Sequence, residues 1–155
     1  MAHRTLTIEY EEFNVLEKLP EDEQILVHRA REARKFSHSP YSNFRVGTAI
    51  STREGHIVVG SNQETSNHKS SCAERVALDT ASAAGLKNQI AKIAVAGNPG
   101  INTPAAPCGQ CRQDIKEVED LSDNPIVIIL AGQSKVMRFV GVSNLLPFAF
   151  GNRDM

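Results

Sequence analysis

The sequence predicts an α/β fold in which a mixed β-sheet is covered by helices on both faces. Apolar β-type runs alternate along the chain with segments of helical periodicity, which is the pattern of an α/β domain. The last two β runs, 125–132 and 135–140, are only a few residues apart, whereas parallel neighbours need a crossover of about a dozen residues or more. This pair is therefore antiparallel. A length of 155 residues, of which 41% are hydrophobic, suits one packed core.

The N-terminal residues precede the first clear helix. Residues 5–10, TLTIEY, alternate apolar and polar side chains as a short strand does, but many charges surround them. We treat residues 1–20 as an extension of uncertain structure and residues 21–155 as the domain. The first helix begins at Pro20, because proline and the acidic residues after it favour a helix start, and it continues to about Phe36.

A β-hairpin and a second helix follow. Residues 44–62, FRVGTAISTREGHIVVGSN, contain two short β runs joined across Arg-Glu-Gly. Ser70 or Ser71 can cap the next helix, which runs from Cys72 to about Ala84 and ends before a glycine. The second helix therefore starts at a cysteine.

The remaining elements continue this alternation. Residues 90–97, IAKIAVAG, form a β run, and a third helix begins near Cys108 and continues to about Val118. Residues 125–132, PIVIILAG, are a nearly continuous apolar strand of the buried kind, and KVMRFV at 135–140 is the last run. The third helix, like the second, starts at a cysteine.

Charge and hydropathy exclude several kinds of partner. The 17 Lys and Arg residues are balanced by 18 Asp and Glu residues, so no basic excess is available to neutralise phosphates along a nucleic acid. No run approaches the roughly 18 apolar residues of a membrane span, and the start, MAHRTLTIEYEEF, lacks the apolar core of a secretory signal. We therefore expect a cytoplasmic protein with a small neutral partner, bound neither to nucleic acid nor to a membrane.

Three cysteines, Cys72, Cys108 and Cys111, need an explanation. An odd number in a chain without an export signal does not suit a disulfide framework. A single free cysteine is commonly a small buried hydrophobe, and Cys-x-x-Cys alone also fits a thioredoxin-like redox pair, which would leave Cys72 unused. If all three converge, they place three thiolates at the N-termini of two helices, where the helix dipole favours deprotonated sulfur. Three protein ligands and an open fourth position are typical of a catalytic zinc site.

Glu74 lies two positions after Cys72, in the first turn of the second helix. Bound Zn²⁺ lowers the pKa of its water from the bulk value towards neutrality, and a nearby carboxylate that does not bind the metal can take the proton of that water. Glu74 fits that role, although a first-turn acid can also serve only to complement the helix dipole. Three thiolates around one Zn²⁺ leave a net negative charge, and either Arg75 or Arg112 could donate hydrogen bonds to the sulfurs to offset it, the alternative being placement at the surface.

The motif Cys-Ala-Glu at 72–74, followed by Pro-Cys-x-x-Cys at 107–111, resembles the zinc signature of the cytidine deaminase superfamily, with Cys in place of the His that opens its other version. Further stretches resemble the small free-nucleoside cytidine deaminases, and together they cover roughly residues 22–151. These stretches are SPYSNFRVGTAI at 39–50, GSNQE at 60–64, CAER at 72–75 with PCGQCRQ at 107–113, and LLPFAF at 145–150.

The resemblance implies a cytidine-deaminase-like three-layer α/β/α sandwich around a mixed five-stranded sheet. It also implies one Zn²⁺ per chain, bound by Cys72, Cys108 and Cys111, with Glu74 as the catalytic proton shuttle. In that family a water activated at the zinc attacks C4 of the cytosine ring, and the carboxylate relays protons to N3 and to the departing amine. The implied activity is hydrolytic deamination of cytidine or 2'-deoxycytidine to uridine or 2'-deoxyuridine and ammonia, in pyrimidine salvage.

The same resemblance implies which residues bind the pyrimidine nucleoside. The backbone around Ala73 meets the ring, and Phe44 lines the pocket for base and sugar. Asn62 and Glu64 hydrogen-bond the ribose hydroxyls. Phe150 reaches the site of a neighbouring subunit, because the enzymes of this family are commonly homotetramers.

Alternatives stay open for the substrate and for the site. Residues 65–71, TSNHKSS, differ from the stretch that the family usually has there, which leaves modified cytosine nucleosides such as blasticidin S as a second substrate class. Deaminases that edit RNA or DNA share the zinc motifs, but the short link at 132–135 and the absence of tryptophan argue against that class. A non-catalytic protein stabilised by zinc, with His68 as a fourth ligand, is a further alternative, and Glu74 discriminates because such a site has no need of it.

Overall fold

The structure, a computed structural model, describes residues 1–154. Its strands are β1 (Glu11–Phe13), β2 (Gly47–Thr52), β3 (Ile57–Ser61), β4 (Ile90–Ala96), β5 (Val127–Ala131) and β6 (Val136–Val140). They form one mixed sheet in the order β1-β6-β5-β4-β2-β3. β4 and β5 run parallel, and the other neighbouring pairs are antiparallel. The predicted antiparallel pairing of the last two strands is confirmed.

Helices cover both faces of the sheet, which confirms the predicted three-layer α/β/α sandwich. Helix α1 (Glu21–Ala33) packs on one face, and α2 (Ala73–Ala83) and α3 (Gly109–Ser122) pack on the other. Successive strand residues alternate between the two layers, so that Ile129 lies in the core under α1 and Ile128 in the core under α2 and α3. In the part of the chain that the structure describes, no helix is long and apolar enough to cross a membrane.

The sheet has six strands rather than the five that we predicted, and the extra strand lies in the N-terminal extension. β1 pairs antiparallel with β6, where Glu11 lies opposite Arg138 and forms an ion pair of 2.7 Å with it. The strand-like alternation at residues 5–10 forms no strand, because such a pattern forms one only where a neighbour offers a hydrogen-bonding edge, and β1 pairs over later residues. From that segment Tyr10 stacks instead on Phe139, with 5.3 Å between the ring centroids.

Helices α2 and α3 both begin directly after a cysteine. Cys72 is the N-cap residue of α2 and Cys108 that of α3, and both have extended backbone angles. The predicted cap by Ser70 or Ser71 is wrong, since both serines precede the N-cap position and no side chain caps this helix. α3 also continues to Ser122, beyond its predicted end.

Strand β3 packs closely against the start of α2. A Cβ atom at Gly60 would lie 2.6 Å from the carbonyl oxygen of Ala73 and 2.5 Å from the backbone nitrogen of Ala77, so only glycine fits there. This close approach holds the first turn of α2, and with it Cys72, against the sheet.

Candidate active site

Three thiols converge where α2 and α3 begin. The Sγ atoms of Cys72, Cys108 and Cys111 all lie within 4.8 Å of one another. Cys108 Sγ is 3.5 Å from Cys111 Sγ and 3.9 Å from Cys72 Sγ. Cys111 is buried in the first turn of α3, Cys72 is half-buried and Cys108 is exposed. The cluster therefore has one side covered by protein and one side open to a ligand.

The cluster has the chemistry of a zinc site. Thiolate sulfur is a preferred ligand of Zn²⁺, and three ligands leave one tetrahedral position for water or substrate. Burial raises the pKa of the Cys72 and Cys111 thiols, and the charge of Glu74 raises both further. Burial also opposes ionisation of Cys108, but hydrogen bonds from the backbone N–H groups of Cys111 and Gln110 and from the neighbouring thiols lower its pKa overall. A bound divalent cation overrides these shifts, because a coordinating thiol is deprotonated outright.

Glu74 places a buried carboxyl group beside the thiols, and the residue is 4% exposed. Burial raises the pKa of Glu74 and the charge of Asp114 adds to this, while hydrogen bonds with its own backbone N–H and with Cys111 act in the opposite direction. Among the side chains that the structure describes, no lysine or arginine forms an ion pair with Glu74. A carboxyl group in such surroundings takes up a proton more readily than an exposed one, as a general base at neutral pH requires.

A cavity of about 330 Å³ opens beside the thiols and Glu74. Small-molecule sites have volumes of about 300–1,000 Å³, so this cavity suits a small organic ligand. The predicted site residues in its wall are Phe44, Asn62, Glu64, Cys72, Ala73, Glu74 and Cys108. The residues in its wall that we did not predict are Ser42, Val46, Ser70, Ser71, Val95, Ala105 and Ala106.

Asn62 anchors the backbone on the C-terminal side of Phe44. Its Nδ2 donates a hydrogen bond of 2.9 Å to the carbonyl oxygen of Phe44. Its Oδ1 accepts hydrogen bonds from the Val46 N–H at 2.8 Å and from the Ser37 hydroxyl at 2.6 Å. One hydrogen of the Asn62 amide group is therefore left for a ligand in the cavity.

Glu64 anchors the backbone on the N-terminal side of Phe44. Its Oε2 accepts hydrogen bonds from the N–H groups of Tyr41 at 2.8 Å and Ser42 at 3.2 Å, and its Oε1 accepts one from the Ser42 hydroxyl. These hydrogen bonds, the hydroxyl bond above all, lower the pKa of Glu64, so the carboxylate is ionised at neutral pH. Oε2 thus accepts two hydrogen bonds and Oε1 only one, so Oε1 keeps a lone pair that can accept from a ligand.

Comparison with known proteins assigns the chain to a family. Residues 20–124 match the family described as the cytidine and deoxycytidylate deaminase zinc-binding region. The chain belongs to the cytidine and deoxycytidylate deaminase family. This membership confirms the resemblance seen in the Cys-Ala-Glu and Pro-Cys-x-x-Cys motifs, and with it the predicted enzyme class and the zinc cofactor.

Relatives and solved structures of this family match most of the chain. The cytidine deaminase of Halalkalibacterium halodurans is 35% identical over 135 residues, which cover 86% of this chain and 98% of that protein. The cytidine deaminase of Sporosarcina psychrophila is 33% identical over 135 residues, covering 86% of this chain and 95% of that protein. The crystal structure of cytidine deaminase from Burkholderia pseudomallei has a TM-score of 0.73 at 39% identity, covering 81% of this chain and 97% of that one.

Arg75 and Arg112 do not contact the sulfurs. Arg75 Nη2 lies 3.3 Å from a carboxylate oxygen of Asp114, which ties α2 to α3. Arg112 donates hydrogen bonds to the carbonyl oxygens of Pro107 at 2.9 Å and Leu145 at 2.8 Å. Among the described residues the predicted bonds from guanidinium to sulfur are thus not formed, because charged and carbonyl oxygens, which are stronger acceptors, lie within reach.

Phe150 lies outside the cavity of its own chain. Its side chain is not among the residues of the cavity wall, and the residue is 60% exposed. Its carbonyl oxygen accepts a hydrogen bond of 2.8 Å from Gln113 Nε2, which anchors the C-terminal segment to α3. In this structure its ring therefore does not contribute to the cavity of its own chain.

Except for Val95 of β4, the cavity residues that sequence reasoning missed lie within three residues of a predicted site residue, and all of them have short side chains. Ser42 is within the quoted stretch SPYSNF, and Ala105 and Ala106 directly precede the Pro-Cys-x-x-Cys motif. Ser70 and Ser71 directly precede Cys72, but we considered them only as helix caps. Proximity in sequence to a predicted site residue was the signal that could have identified them.

Proposed function

We propose that the protein deaminates cytidine and 2'-deoxycytidine by hydrolysis, giving uridine or 2'-deoxyuridine and ammonia. The observation that carries this proposal is the buried carboxyl of Glu74 beside three converging thiols at the wall of a cavity. The relatives named cytidine deaminase support it, since they match nearly the whole length of the domain.

In this proposal Cys72, Cys108 and Cys111 hold the metal, and Glu74 moves the protons. Bound Zn²⁺ would supply a water of lowered pKa, whose oxygen would bond to C4 of the cytosine ring. Glu74 would accept one proton of this water at a carboxylate oxygen and donate it to ring N3. It would then transfer the second proton to the amino group, so that the C4–N bond breaks, ammonia leaves and the oxygen stays on C4 as the carbonyl. Its burial keeps bulk water away from these transfers.

The sugar and base are bound by the loop and strand residues of the cavity. The ring of Phe44 packs against the base and sugar, and the backbone around Ala73 meets the pyrimidine edge. Glu64 accepts hydrogen bonds from ribose hydroxyls, and Asn62 donates its remaining N–H. The ionised Glu64 carboxylate repels a phosphate group, which favours a free nucleoside over a nucleotide.

Modified cytosine nucleosides such as blasticidin S are the second candidate substrate class. The observation that favours them is a part of the cavity wall made only of short side chains. These are Ser70, Ser71, Ala105 and Ala106. Replacement of Ala106 by Leu separates the candidates, because it reduces turnover of a substituted nucleoside more than that of cytidine. An equal loss for both substrates would contradict this second candidate.

We also propose that residues 21–155 form the catalytic unit of a cytoplasmic homotetramer that acts in pyrimidine salvage, with residues 1–20 as an extension. Phe148 and Phe150 are 95% and 60% exposed, and a partner chain would cover them. In the tetramer Phe150 reaches the cavity of a neighbour. Light scattering on purified protein tests the assembly, and a monomeric mass would contradict it.

The decisive experiment is ultraviolet absorbance of cytidine and 2'-deoxycytidine with protein of measured zinc content. We expect conversion by wild type, conversion at least about a hundredfold slower by Glu74→Gln, and unchanged conversion by Glu54→Gln, a matched control in the exposed turn between β2 and β3. Equal activity of wild type and Glu74→Gln would contradict the mechanism. Inactive wild type with one zinc per chain would point instead to the non-catalytic zinc protein or to a modified substrate.

A further inference from the structure

The Ser42 hydroxyl connects two groups of the cavity that lie far apart in sequence. It donates a hydrogen bond to Glu64 Oε1 and accepts one from the Phe44 N–H at 3.0 Å. Ser42 itself belongs to the cavity wall. A short chain of hydrogen bonds thus runs from the Phe44 backbone through one hydroxyl to a carboxylate.

Among the described residues, this chain is one of two hydrogen-bonded attachments of the Phe44 backbone. The other is the hydrogen bond of 2.9 Å from Asn62 Nδ2 to the Phe44 carbonyl oxygen. The ring of Phe44 lies against Gly97, where an added Cβ would be 3.4 Å from Cζ. Asn98 braces the residues on either side, through the Asn43 carbonyl at 3.3 Å and the Arg45 N–H at 2.6 Å, but not Phe44 itself.

We infer that Ser42 is a positioning residue, which couples the Glu64 carboxylate to the placement of the Phe44 ring in the cavity. The inference rests on the proposed function, in which Glu64 contacts the sugar and Phe44 the base. A hydrogen bond to an ionised acceptor is roughly twice as strong as a neutral one, and bonds in a chain polarise one another. A sugar that binds Glu64 therefore meets a ring already held at the matching distance.

The kinetic consequence is a change in KM rather than in kcat. A wall of the cavity contacts substrate and transition state alike, and loss of such uniform binding raises KM while leaving kcat nearly unchanged. We expect Ser42→Ala to raise KM for cytidine about tenfold, which corresponds to loss of one hydrogen bond to a charged group, with kcat within about twofold of wild type. Ser42→Thr keeps the hydroxyl at an exposed position and should restore KM.

A double-mutant cycle with Glu64→Gln tests whether Ser42 acts through the carboxylate. If it does, the fold-increase in KM of the double variant is well below the product of the two single fold-increases, because each change breaks the same chain of hydrogen bonds. Ser82→Ala is the matched control. Its hydroxyl donates a hydrogen bond to the Leu78 carbonyl oxygen within α2. Ser82 lies ten residues after Cys72, which is about 15 Å along the helix axis. It should leave KM unchanged.

Amide hydrogen exchange of Phe44, followed by NMR, tests the link without any activity. Ser42→Ala removes the acceptor of this N–H and should speed its exchange about tenfold, while Ser42→Thr and Ser82→Ala should not. Unchanged exchange in Ser42→Ala overturns the inference, whatever the kinetics show. Faster exchange with an unchanged KM also overturns it, since Ser42 would then stabilise only the turn.

Failure of the proposed function has a different signature. Wild type that binds zinc but does not deaminate cytidine contradicts the proposed function, and the Phe44 exchange rates then still decide whether Ser42 fixes this residue. Faster exchange in Ser42→Ala with recovery in Ser42→Thr supports the link in that case too.

Discussion

Two glutamates of this protein are almost equally buried, but the groups that surround them differ. Glu23 on α1 is fully buried and forms ion pairs with Arg138 at 2.8 Å and with Lys92 at 3.0 Å. Glu74 on α2 is 4% exposed and has three thiols and a cavity beside it, with no cation paired to it among the described residues. A paired buried carboxylate holds elements together, whereas an unpaired one is available for proton transfer. Burial alone therefore does not identify a reactive carboxyl group.

Removal of zinc should have the largest effect on activity. It should affect the site of Glu74 but not the ion-pair cluster of Glu23. We expect dialysis against a chelator to abolish deamination and added Zn²⁺ to restore it, because the three thiols beside Glu74 are the protein ligands for the metal. The Glu23 cluster has only oxygen and nitrogen groups that pair with one another. Parallel assays of activity and zinc content check this, and full activity in zinc-free protein would contradict it.

Replacement of each glutamate by glutamine should separate activity from stability. Glu74→Gln is expected to lower kcat/KM by about 10²–10⁴ with no loss of thermal stability, because it removes the proton acceptor and also a buried charge. Glu23→Gln should retain the wild-type rate per folded molecule. Rates measured at equal zinc content check this, and a comparable loss of rate in both variants would remove the distinction.

The stability of Glu23→Gln provides the complementary test. The change leaves Lys92 and Arg138 without their buried partner, and loss of one member of such a cluster costs about 3 kcal/mol of the free energy of unfolding. Glu21→Gln is a matched control in the same helical turn, at an exposed position. Urea unfolding monitored by circular dichroism measures both, and similar midpoints for the two variants would show that the cluster is not stabilising.

The sequence could predict that Glu74 belongs to the thiol site, but not that Glu23 belongs to an ion-pair cluster. The residues of Cys-Ala-Glu and Pro-Cys-x-x-Cys lie within a few positions of one another, so the thiol cluster and Glu74 could be predicted from these motifs. Glu23 looked like an ordinary first-turn acid, because its partners Lys92 and Arg138 are 69 and 115 residues away. The element order was predictable from periodicity in the same local way.

Features that depend on distant partners were missed for the same reason. The sixth strand exists because β1 finds the edge of β6, and no pattern within residues 1–20 shows that edge. The role of Ser42 depends on Glu64, 22 residues further along the chain. Arg112 follows a predicted zinc ligand, but the carbonyl oxygen of Leu145, 33 residues away, determines where its side chain points.

Arg138 allows the smallest and sharpest test of the comparison, because it binds two glutamates of different exposure. It pairs with buried Glu23 at 2.8 Å and with Glu11 of β1 at 2.7 Å, and the Glu11 side chain is 58% exposed. Exposed ion pairs contribute about 0–1 kcal/mol, so Glu11→Gln should shift the free energy of unfolding by less than about 1 kcal/mol and leave activity unchanged. Addition of salt should abolish this small shift but not the loss in Glu23→Gln, because screening acts on exposed charges. Equal losses of unfolding free energy in Glu11→Gln and Glu23→Gln, at low and at high salt, would mean that the ion pair of Glu11 is as well shielded from solvent as that of Glu23. Exposure would then not explain the difference between these two glutamates.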